Sequence, residues 1–282
     1  MRLAYTSDVH VDTNGPAVTE ALVARARALA PDVLVLAGDL ASGPTTWLDT
    51  LLRLRPCAGE LLVVAGNHDV WGAPEAVAKG LDAWKRLDHL LPALCAEAGV
   101  RMLDAGPVEI GGIGFAGTLG WYDLSTREGL LDAPMEAYRK GEWEGLRWTD
   151  HQYAVWLAPD GRRMEMEEVA AILRERLRAH LAALRARRVV VVTHTLPFEG
   201  QIHRKAHPGW RFANAFMGSL PLGDLIRSDS RVFLTISGHT HHGSDLRLGG
   251  LRAVVSPLGY RREWKGTTPE EAVEAAMKVI DI

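Results

Sequence analysis

Short apolar runs that each end at a residue able to bind a metal ion are the feature that most constrains this chain. Five runs have this form and the length and aliphatic content of buried strands: residues 3–7, 33–37, 61–65, 189–193 and 232–236. Further strands are predicted near 108–110, 113–117 and 251–256, and helices over 17–29, over 164–187 and from Pro269. This alternation predicts an α/β fold built from stacked layers.

The polar residues that follow the five runs are an aspartate, asparagine or histidine in every case: Asp8, His10, Asp39, Asn67, His194, His239 and His241. In α/β sheets ligands bind outside the carboxyl ends of the strands, because the loops converge there. Residues two apart in an extended chain point the same way, so Asp8 and His10 can reach one metal together. The pattern therefore predicts a single metal site assembled from most of the chain.

The predicted donors are carboxylate oxygens, an amide oxygen and imidazole nitrogens. This set suits Mn, Fe, Co, Ni or Zn rather than an all-oxygen Ca or Mg site. Gly38, Gly66 and Gly238 precede donors and are expected to let the backbone approach without a Cβ clash. Cys57 and Cys95 form no C-x-x-C pair, so we expect both thiols to be reduced and to take no part in metal binding.

Taken in order, these motifs resemble those of the calcineurin-like metallophosphoesterases: Asp8-x-His10, Gly38-Asp39, Gly66-Asn67-His68-Asp69, His194 and Gly238-His239-x-His241. The resemblance extends over residues 2–257. It implies a four-layer α/β/β/α sandwich that hydrolyses phosphoesters with bound metal. We expect one domain over residues 1–282, with an insertion at about 121–160.

The resemblance also implies a role for each position. One divalent metal would be held by Asp8, His10 and His241, the other by Asn67, His194 and His239, with Asp39 bridging both. Two ions about 3.5–4 Å apart can share a bridging hydroxide that attacks a phosphomonoester or phosphodiester. His68 would act near the leaving-group oxygen as a proton donor or charge stabiliser, the alternative being a purely structural histidine.

One position departs from the family pattern. Many relatives continue the second motif as G-D-x-x-D, and the last aspartate orients the catalytic histidine, but Ser42 stands there in this chain. The support of His68 must therefore come from elsewhere. Asp69 is expected to accept hydrogen bonds or cap a helix rather than to bind metal.

Residues 121–160, which we call the tryptophan-rich segment, contain several glycines, no clean period and four tryptophans: Trp121, Trp143, Trp148 and Trp156. This composition favours a segment that packs over other parts of the protein rather than a sheet element. Trp121 is a candidate wall of a substrate pocket, and internal packing is its alternative. In the loop expected over 196–220, His203 and Arg204 are candidate phosphate contacts, and a solvated surface is their alternative.

The formal net charge of −3 and the lack of an evident DNA-binding domain favour a small phosphorylated substrate over a nucleic-acid partner. A nuclease of the same superfamily would share the metal motifs. A non-catalytic scaffold typically loses ligands or the catalytic histidine, and all are present here. No window approaches the ~20 apolar residues of a spanning helix and no apolar leader is seen, so we expect a cytoplasmic protein without membrane attachment.

Overall fold

A computed structural model describes residues 1–129 and 131–282 of the chain. Within these residues the strands are β1 (Arg2–Thr6), β2 (Val33–Ala37), β3 (Glu60–Val64), β4 (Arg101–Met102), β5 (Val108–Ile110), β6 (Ile113–Thr118), β7 (Glu142–Trp143), β8 (Leu146–Arg147), β9 (Arg188–Thr193), β10 (Val232–Ser237), β11 (Ser244–Leu248), β12 (Leu251–Val255) and β13 (Lys278–Asp281). They form two large sheets and one small hairpin.

The helices of the same residues are α1 (Val11–Asn14), α2 (Pro16–Leu29), α3 (Pro44–Leu54), α4 (Pro74–Ala78), α5 (Ala83–Lys85), α6 (Leu91–Ala98), α7 (Met135–Lys140), α8 (Asp150–Tyr153), α9 (Met166–Ala183), α10 (Pro208–Ala213), α11 (Leu220–Ser228) and α12 (Pro269–Ala276). Helix α9 begins with a capping box between Glu165 and Glu168. Its buried residues include Val169, Leu173 and Leu177, each four positions after the last, which is the spacing of one helix face.

The first sheet has the strand order β13-β1-β2-β3-β4, and the second has β11-β12-β10-β9-β6-β5. The central strands of both sheets run parallel, while β13, β11 and β5 pair antiparallel at or near the edges. Parallel central strands bring all their carboxyl ends to one side of a sheet.

Both faces of each sheet are covered. Their inner faces share a buried core that includes Leu3, Val35 and Val64 from the first sheet and Phe115, Val192 and Ile236 from the second. The outer face of the first sheet packs against α2, α3, α6 and α12, and that of the second against α9 and α11. Burial on both faces explains why the central strands are continuously apolar in sequence. The predicted four-layer α/β/β/α sandwich is confirmed.

Several elements differ from the sequence predictions. The strands β4, β11 and β13 were not predicted. β4 has two residues and β13 has four, and the short alternation Ser-Asp-Leu-Arg-Leu in β11 is a weaker signal than the continuous apolar runs of the central strands. The expected loop over 196–220 contains α10 and two short 3₁₀ turns. The tryptophan-rich segment contains the hairpin β7–β8, so the expectation that it lacks sheet structure is wrong.

Among the described residues, the structure contains no helix with the length and apolar character needed to cross a membrane.

Helix α3 provides a test of the packing against the first sheet. Leu51 is fully buried, whereas the neighbouring Leu52 is 47% exposed. We expect Leu51→Ala to lower the free energy of unfolding by about 2–5 kcal/mol, because it leaves a cavity in the core. The matched variant Leu52→Ala should change it by no more than about 0.5 kcal/mol. Urea unfolding monitored by circular dichroism measures both, and equal losses would contradict this orientation of α3.

Candidate metal centre

The predicted ligands lie together where the two sheets meet. They follow the carboxyl ends of β1, β2 and β3 in the first sheet and of β9 and β10 in the second: Asp8, His10, Asp39, Asn67, His194, His239 and His241. Within the first sheet Asp8 N donates to Gly38 O at 3.0 Å, and within the second Gly238 N donates to His194 O at 2.9 Å. Between the sheets His239 N donates to Asp8 Oδ1 at 2.8 Å. The two sheets therefore contribute to one cluster.

The backbone of the cluster is unusual. Five of the seven residues have a left-handed φ, which is 53° at Asp8, 40° at His10, 56° at Asp39, 71° at His239 and 51° at His241. Non-glycine residues adopt this conformation rarely and at a cost. Asp8 and His10 therefore do not reach the site from an extended chain, so the reasoning from strand alternation was wrong although the two residues do meet. The sharp turns at the strand ends bring both side chains inward.

The first group of donors is Asp8, His10 and His241. The Nε2 atoms of the two histidines lie 3.1 Å apart, and His241 Nε2 lies 3.6 Å from Asp8 Oδ1. The other ring nitrogen of His241 is 2.9 Å from Glu263 Oε2, which orients the ring. One potential ligand atom from each of Asp8, His10 and His241 lies within 4.8 Å of those of the other two.

The second group is Asn67, His194 and His239. Asn67 Oδ1 lies 2.9 Å from His194 Nε2 and 2.9 Å from His239 Nδ1. The remaining nitrogens of the two rings donate to the backbone carbonyls of Ala37 and Phe216, each at 2.9 Å. When such a ring is neutral, a proton held at its outer nitrogen leaves the inner nitrogen with a lone pair that faces the amide oxygen.

Asp39 lies between the two groups. Its Oδ2 is 3.6 Å from His10 Nε2, and its Oδ1 is 3.4 Å from His194 Nε2. The backbone N–H of His68 donates to Oδ1 at 2.9 Å. One carboxylate therefore faces both groups of donors.

The pKa values of the cluster fit cation binding. Burial lowers the pKa of His10 well below its usual range and that of His239 to about 4, so both rings are neutral and have a lone pair. Burial alone would raise the pKa of Asp39, but the charges of His194 and His68 hold it well below the usual range. Burial would lower the pKa of His194, and Asp39 instead raises it to about 10. A metal ion would displace the proton from His194.

The residues present therefore fit a metal centre. Buried carboxylates, an amide oxygen and the neutral imidazoles of His10 and His239 converge on one region. A metal cation there would take the place of the His194 proton and balance the buried carboxylates.

Asp69 and Gly66 hold the second and third strand ends together. Asp69 accepts hydrogen bonds from the backbone of Gly66 at 2.7 Å, Asp39 at 3.0 Å, Leu40 at 2.9 Å and Ala41 at 3.1 Å. The expectation that it accepts hydrogen bonds is confirmed. A Cβ atom on Gly66 would lie 2.0 Å from Asp39 Oδ1, so glycine is required for this approach.

His68 is supported by aromatic rings. Its ring stacks on Trp71 with centroids 3.7 Å apart and an interplanar angle of 26°. Its Nε2 lies 3.4 Å from the hydroxyl of Tyr260, which itself stacks on His10 at 4.5 Å. These contacts support the imidazole of His68. His68 also lies in a ligand-capable group with His10 and Asp39.

The candidate substrate contacts lie outside this cluster. A cavity of about 270 Å³ opens on the ligands and His68, and His203 and Arg204 are not among its lining residues. Arg204 instead pairs with Glu199 at 2.7 Å and Glu128 at 3.4 Å, so the geometry gives no support to a phosphate contact there. Trp121 is buried and lines a larger neighbouring cavity of about 540 Å³.

Three residues at the centre were missed from the sequence. Tyr260 and Arg147 line the smaller cavity, and Asp150 hydrogen bonds to Asn67. None belongs to a motif, and Asp150 and Arg147 lie in the tryptophan-rich segment. Only the aperiodic, aromatic character of that segment indicated that it packs over something.

Comparison with known proteins bears on the identity of the cluster. The sequence profile described as calcineurin-like phosphoesterase matches residues 1–243. The structure is similar to that of a phosphopantetheinyl hydrolase from Mycobacterium tuberculosis, with a TM-score of 0.77, 21% identity and coverage of 99% of this chain and 95% of that one. It is also similar to TT1561 of Thermus thermophilus, with a TM-score of 0.56, 17% identity and coverage of 99% and 98%. Comparison with curated proteins gave no match. The chain belongs to the calcineurin-like phosphoesterase family and is a metal-dependent phosphoesterase.

Proposed function

We propose that this protein is a phosphohydrolase that holds two divalent transition-metal ions and cleaves a small phosphomonoester or phosphodiester. The observation that carries the proposal is the position of Asp39, with one carboxylate oxygen toward His10 and the other toward His194. A single carboxylate between two groups of nitrogen and oxygen donors is the arrangement expected of a bridging ligand.

In this proposal Asp8, His10 and His241 hold one ion, Asn67, His194 and His239 hold the other, and Asp39 bridges both. The chemistry supplied there by bound cations is Lewis-acid stabilisation of negative charge on the phosphoryl group. The metal is one of Mn, Fe, Zn, Ni or Co, because the donors are oxygen and nitrogen without thiolate.

His68 is the proposed catalytic residue. It lines the cavity that opens on the ligands, together with Trp71 and Tyr260. The stack on Trp71 and the contact with the Tyr260 hydroxyl limit rotation of the ring. A histidine held at this position can give a proton to the departing oxygen of the ester, or stabilise its charge.

The larger cavity supports a substrate with an extended leaving group. It measures about 540 Å³, twice the volume of the cavity at the ligands, and the two share Arg147 and Trp148 in their walls. A phosphoryl group at the metal centre could therefore extend its leaving group past these two residues. Trp121 contributes to the far wall, where packing and a contact with substrate are compatible.

We also retain the prediction of one domain with an insertion at about 121–160. The pairing of β13 near the end of the sequence with β1 near its start supports it. Buried, unpaired Cys57 and Cys95 agree with the predicted cytoplasmic location, since thiols stay reduced there.

The function is tested with a panel of phosphomonoesters, cyclic nucleotides and linear diesters, each assayed with Mn, Zn, Ni and Fe added separately. Because one similar structure is that of a phosphopantetheinyl hydrolase, a phosphopantetheinyl diester is a suitable linear diester. Metal-dependent turnover of a small ester supports the proposal. Cleavage of duplex DNA in preference to small esters would favour a nuclease, and no turnover with any metal would favour a scaffold.

Loss of the bridging carboxylate should be the most damaging single change to the ligands. We expect Asp39→Ala to lower metal content and turnover together, because both ions lose a ligand. Elemental analysis after gel filtration and a steady-state assay measure the two effects. The control Asp245→Ala removes an exposed carboxylate on β11 that pairs with Arg252. This variant should retain the metal content and the turnover of wild type. Wild-type metal content in Asp39→Ala would contradict the bridging role.

Removing the imidazole of His68 should slow the reaction while both metals stay bound. We expect His68→Ala to reduce kcat by ~10²–10⁴, with smaller losses for nitrophenyl esters, whose leaving groups need little protonation. His89→Ala, which changes an exposed histidine far from any motif, serves as the control. Equal losses for good and poor leaving groups would point to a structural role for His68.

Partial filling of the larger cavity should select against bulky leaving groups. Gln152 lines this cavity and is exposed, so Gln152→Trp is compatible with folding. We expect kcat/KM to fall about tenfold for esters with large leaving groups and to remain nearly unchanged for phenyl phosphate, since about 1.4 kcal/mol of lost contact gives a factor of ten. Gln152→Ala leaves the cavity open and is the matched control. A uniform loss for all esters would exclude this cavity as the leaving-group site.

A further inference from the structure

Asp150 is a buried carboxylate at the boundary between the tryptophan-rich segment and the metal centre. It is only 2% exposed and begins the short helix α8. Its Oδ1 accepts hydrogen bonds from Asn67 Nδ2 at 2.8 Å and from Trp71 Nε1 at 2.6 Å. Its Oδ2 accepts from Trp148 Nε1 at 3.0 Å and from the Tyr122 hydroxyl at 3.3 Å. Four donors from three parts of the chain therefore meet at one side chain.

The bond to Asn67 determines which end of that amide faces the ligands. A side-chain amide has an oxygen that accepts and an NH₂ group that donates, and the two ends have nearly the same shape. Each Asp150 oxygen already accepts from an indole N–H, a group that can only donate, so Asp150 presents acceptors and selects the NH₂ end of Asn67. The oxygen then points toward His194 and His239, each 2.9 Å away. With the amide reversed, NH₂ would face the ligand nitrogens and could not bind a metal.

The bond to Trp71 extends the same support to His68. The indole ring of Trp71 is held at one end by Asp150 and stacks on the imidazole with centroids 3.7 Å apart. The Asp150 carboxylate thus contacts the proposed ligand Asn67 through one hydrogen bond, and it supports the proposed catalytic residue His68 through the ring of Trp71.

The Asp150 carboxylate is bound by uncharged donors. Within residues 1–129 and 131–282, no lysine or arginine forms an ion pair with it, and all four donors are neutral. A buried carboxylate is costly unless opposite charge lies near. Metal ligands are commonly hydrogen bonded to such carboxylates, whose charge the metal then offsets.

Resting on the function proposed above, we propose that Asp150 is a positioning residue: it fixes the Asn67 amide with its oxygen toward the metal and holds Trp71 against His68. The tryptophan-rich segment is accordingly part of the metal centre and not only a wall above it. Replacement of residues 121–160 by a short loop would therefore weaken metal binding as well as alter substrate range.

The first test is metal affinity, measured by titrating Mn²⁺ into metal-free protein and following heat release. Asp150→Asn keeps the shape of the side chain but introduces an NH₂ group opposite donors. We expect the affinity of one of two sites to fall by about 10–100-fold. Tyr122→Phe removes a different donor from the same carboxylate and should leave the Mn²⁺ affinity within about threefold of wild type. Equal affinities for Asp150→Asn and wild type would overturn the proposal.

The second test exchanges the amide and the carboxylate between positions 67 and 150. Asn67→Asp places a carboxylate opposite Asp150, and the double variant Asn67→Asp/Asp150→Asn restores a donor opposite an acceptor. We expect Asp150→Asn to weaken Mn²⁺ binding in the wild-type background and to strengthen it in the Asn67→Asp background. A general structural role would give a loss in both. If Asp150→Asn alone does not fold, recovery of a folded, metal-binding double variant supports the proposal, and failure to recover overturns it.

The third test separates the effect of Asp150 on Asn67 from its effect on His68 through Trp71. Trp71→Phe keeps an aromatic ring against His68 but removes the bond to Asp150. Mn²⁺ affinity should stay within about threefold of wild type, because the hydrogen bond between Asp150 and Asn67 is kept. The kcat for an alkyl phosphate should fall with little change in KM, because the ring against His68 is no longer held by Asp150. An unchanged kcat would remove His68 from the proposal. If wild-type protein shows no turnover with any metal but the variants show the predicted changes in Mn²⁺ affinity, the hydrolase function is rejected. The role of Asp150 in metal binding is then still supported.

Discussion

The compensation of buried charge at the junction of the two sheets is the constraint on which the rest of the structure depends. Asp8 and Asp39 are buried beside histidine rings whose nitrogens face one another, as His10 Nε2 and His241 Nε2 do at 3.1 Å. Such a cluster is unfavourable in a protein interior unless a cation or protons balance it. The raised pKa of His194, caused by Asp39 against the effect of burial, shows where a proton takes this role in metal-free protein.

The backbone contributes to the same centre. Nine non-glycine residues of the described chain have a positive φ, and five of them are predicted ligands. Each left-handed residue costs on the order of 1–3 kcal/mol, so the surrounding sandwich must stabilise the turns. It does so through strands that are buried where they approach the site and through Asp69, whose carboxylate accepts from four backbone N–H groups of the neighbouring loops. Rigid strands thereby hold donors in positions that a flexible loop would not keep.

Aromatic side chains support His68. Trp71 and Tyr260 contact its ring on different sides, and Trp71 is in turn anchored on Asp150. This network connects the candidate metal ligands to the tryptophan-rich segment, whose sequence follows no simple pattern. The segment also borders the larger cavity, so the part of the chain that supports the centre is also the part that shapes the space for substrate.

The sequence by itself determined the layered architecture, the central strands and the seven candidate ligands, because buried parallel strands are continuously apolar and their polar endings stand out. It did not determine the edge strands β11 and β13, since partly exposed strands mix polar and apolar residues. Nor did it indicate Asp150 or Tyr260. Asp150 contacts Asn67, which is 83 residues away in the sequence, and Tyr260 contacts His68, which is 192 residues away. Contacts of that separation depend on how the layers pack. Only the tertiary structure decided them, because local patterns report burial but not which distant surfaces meet.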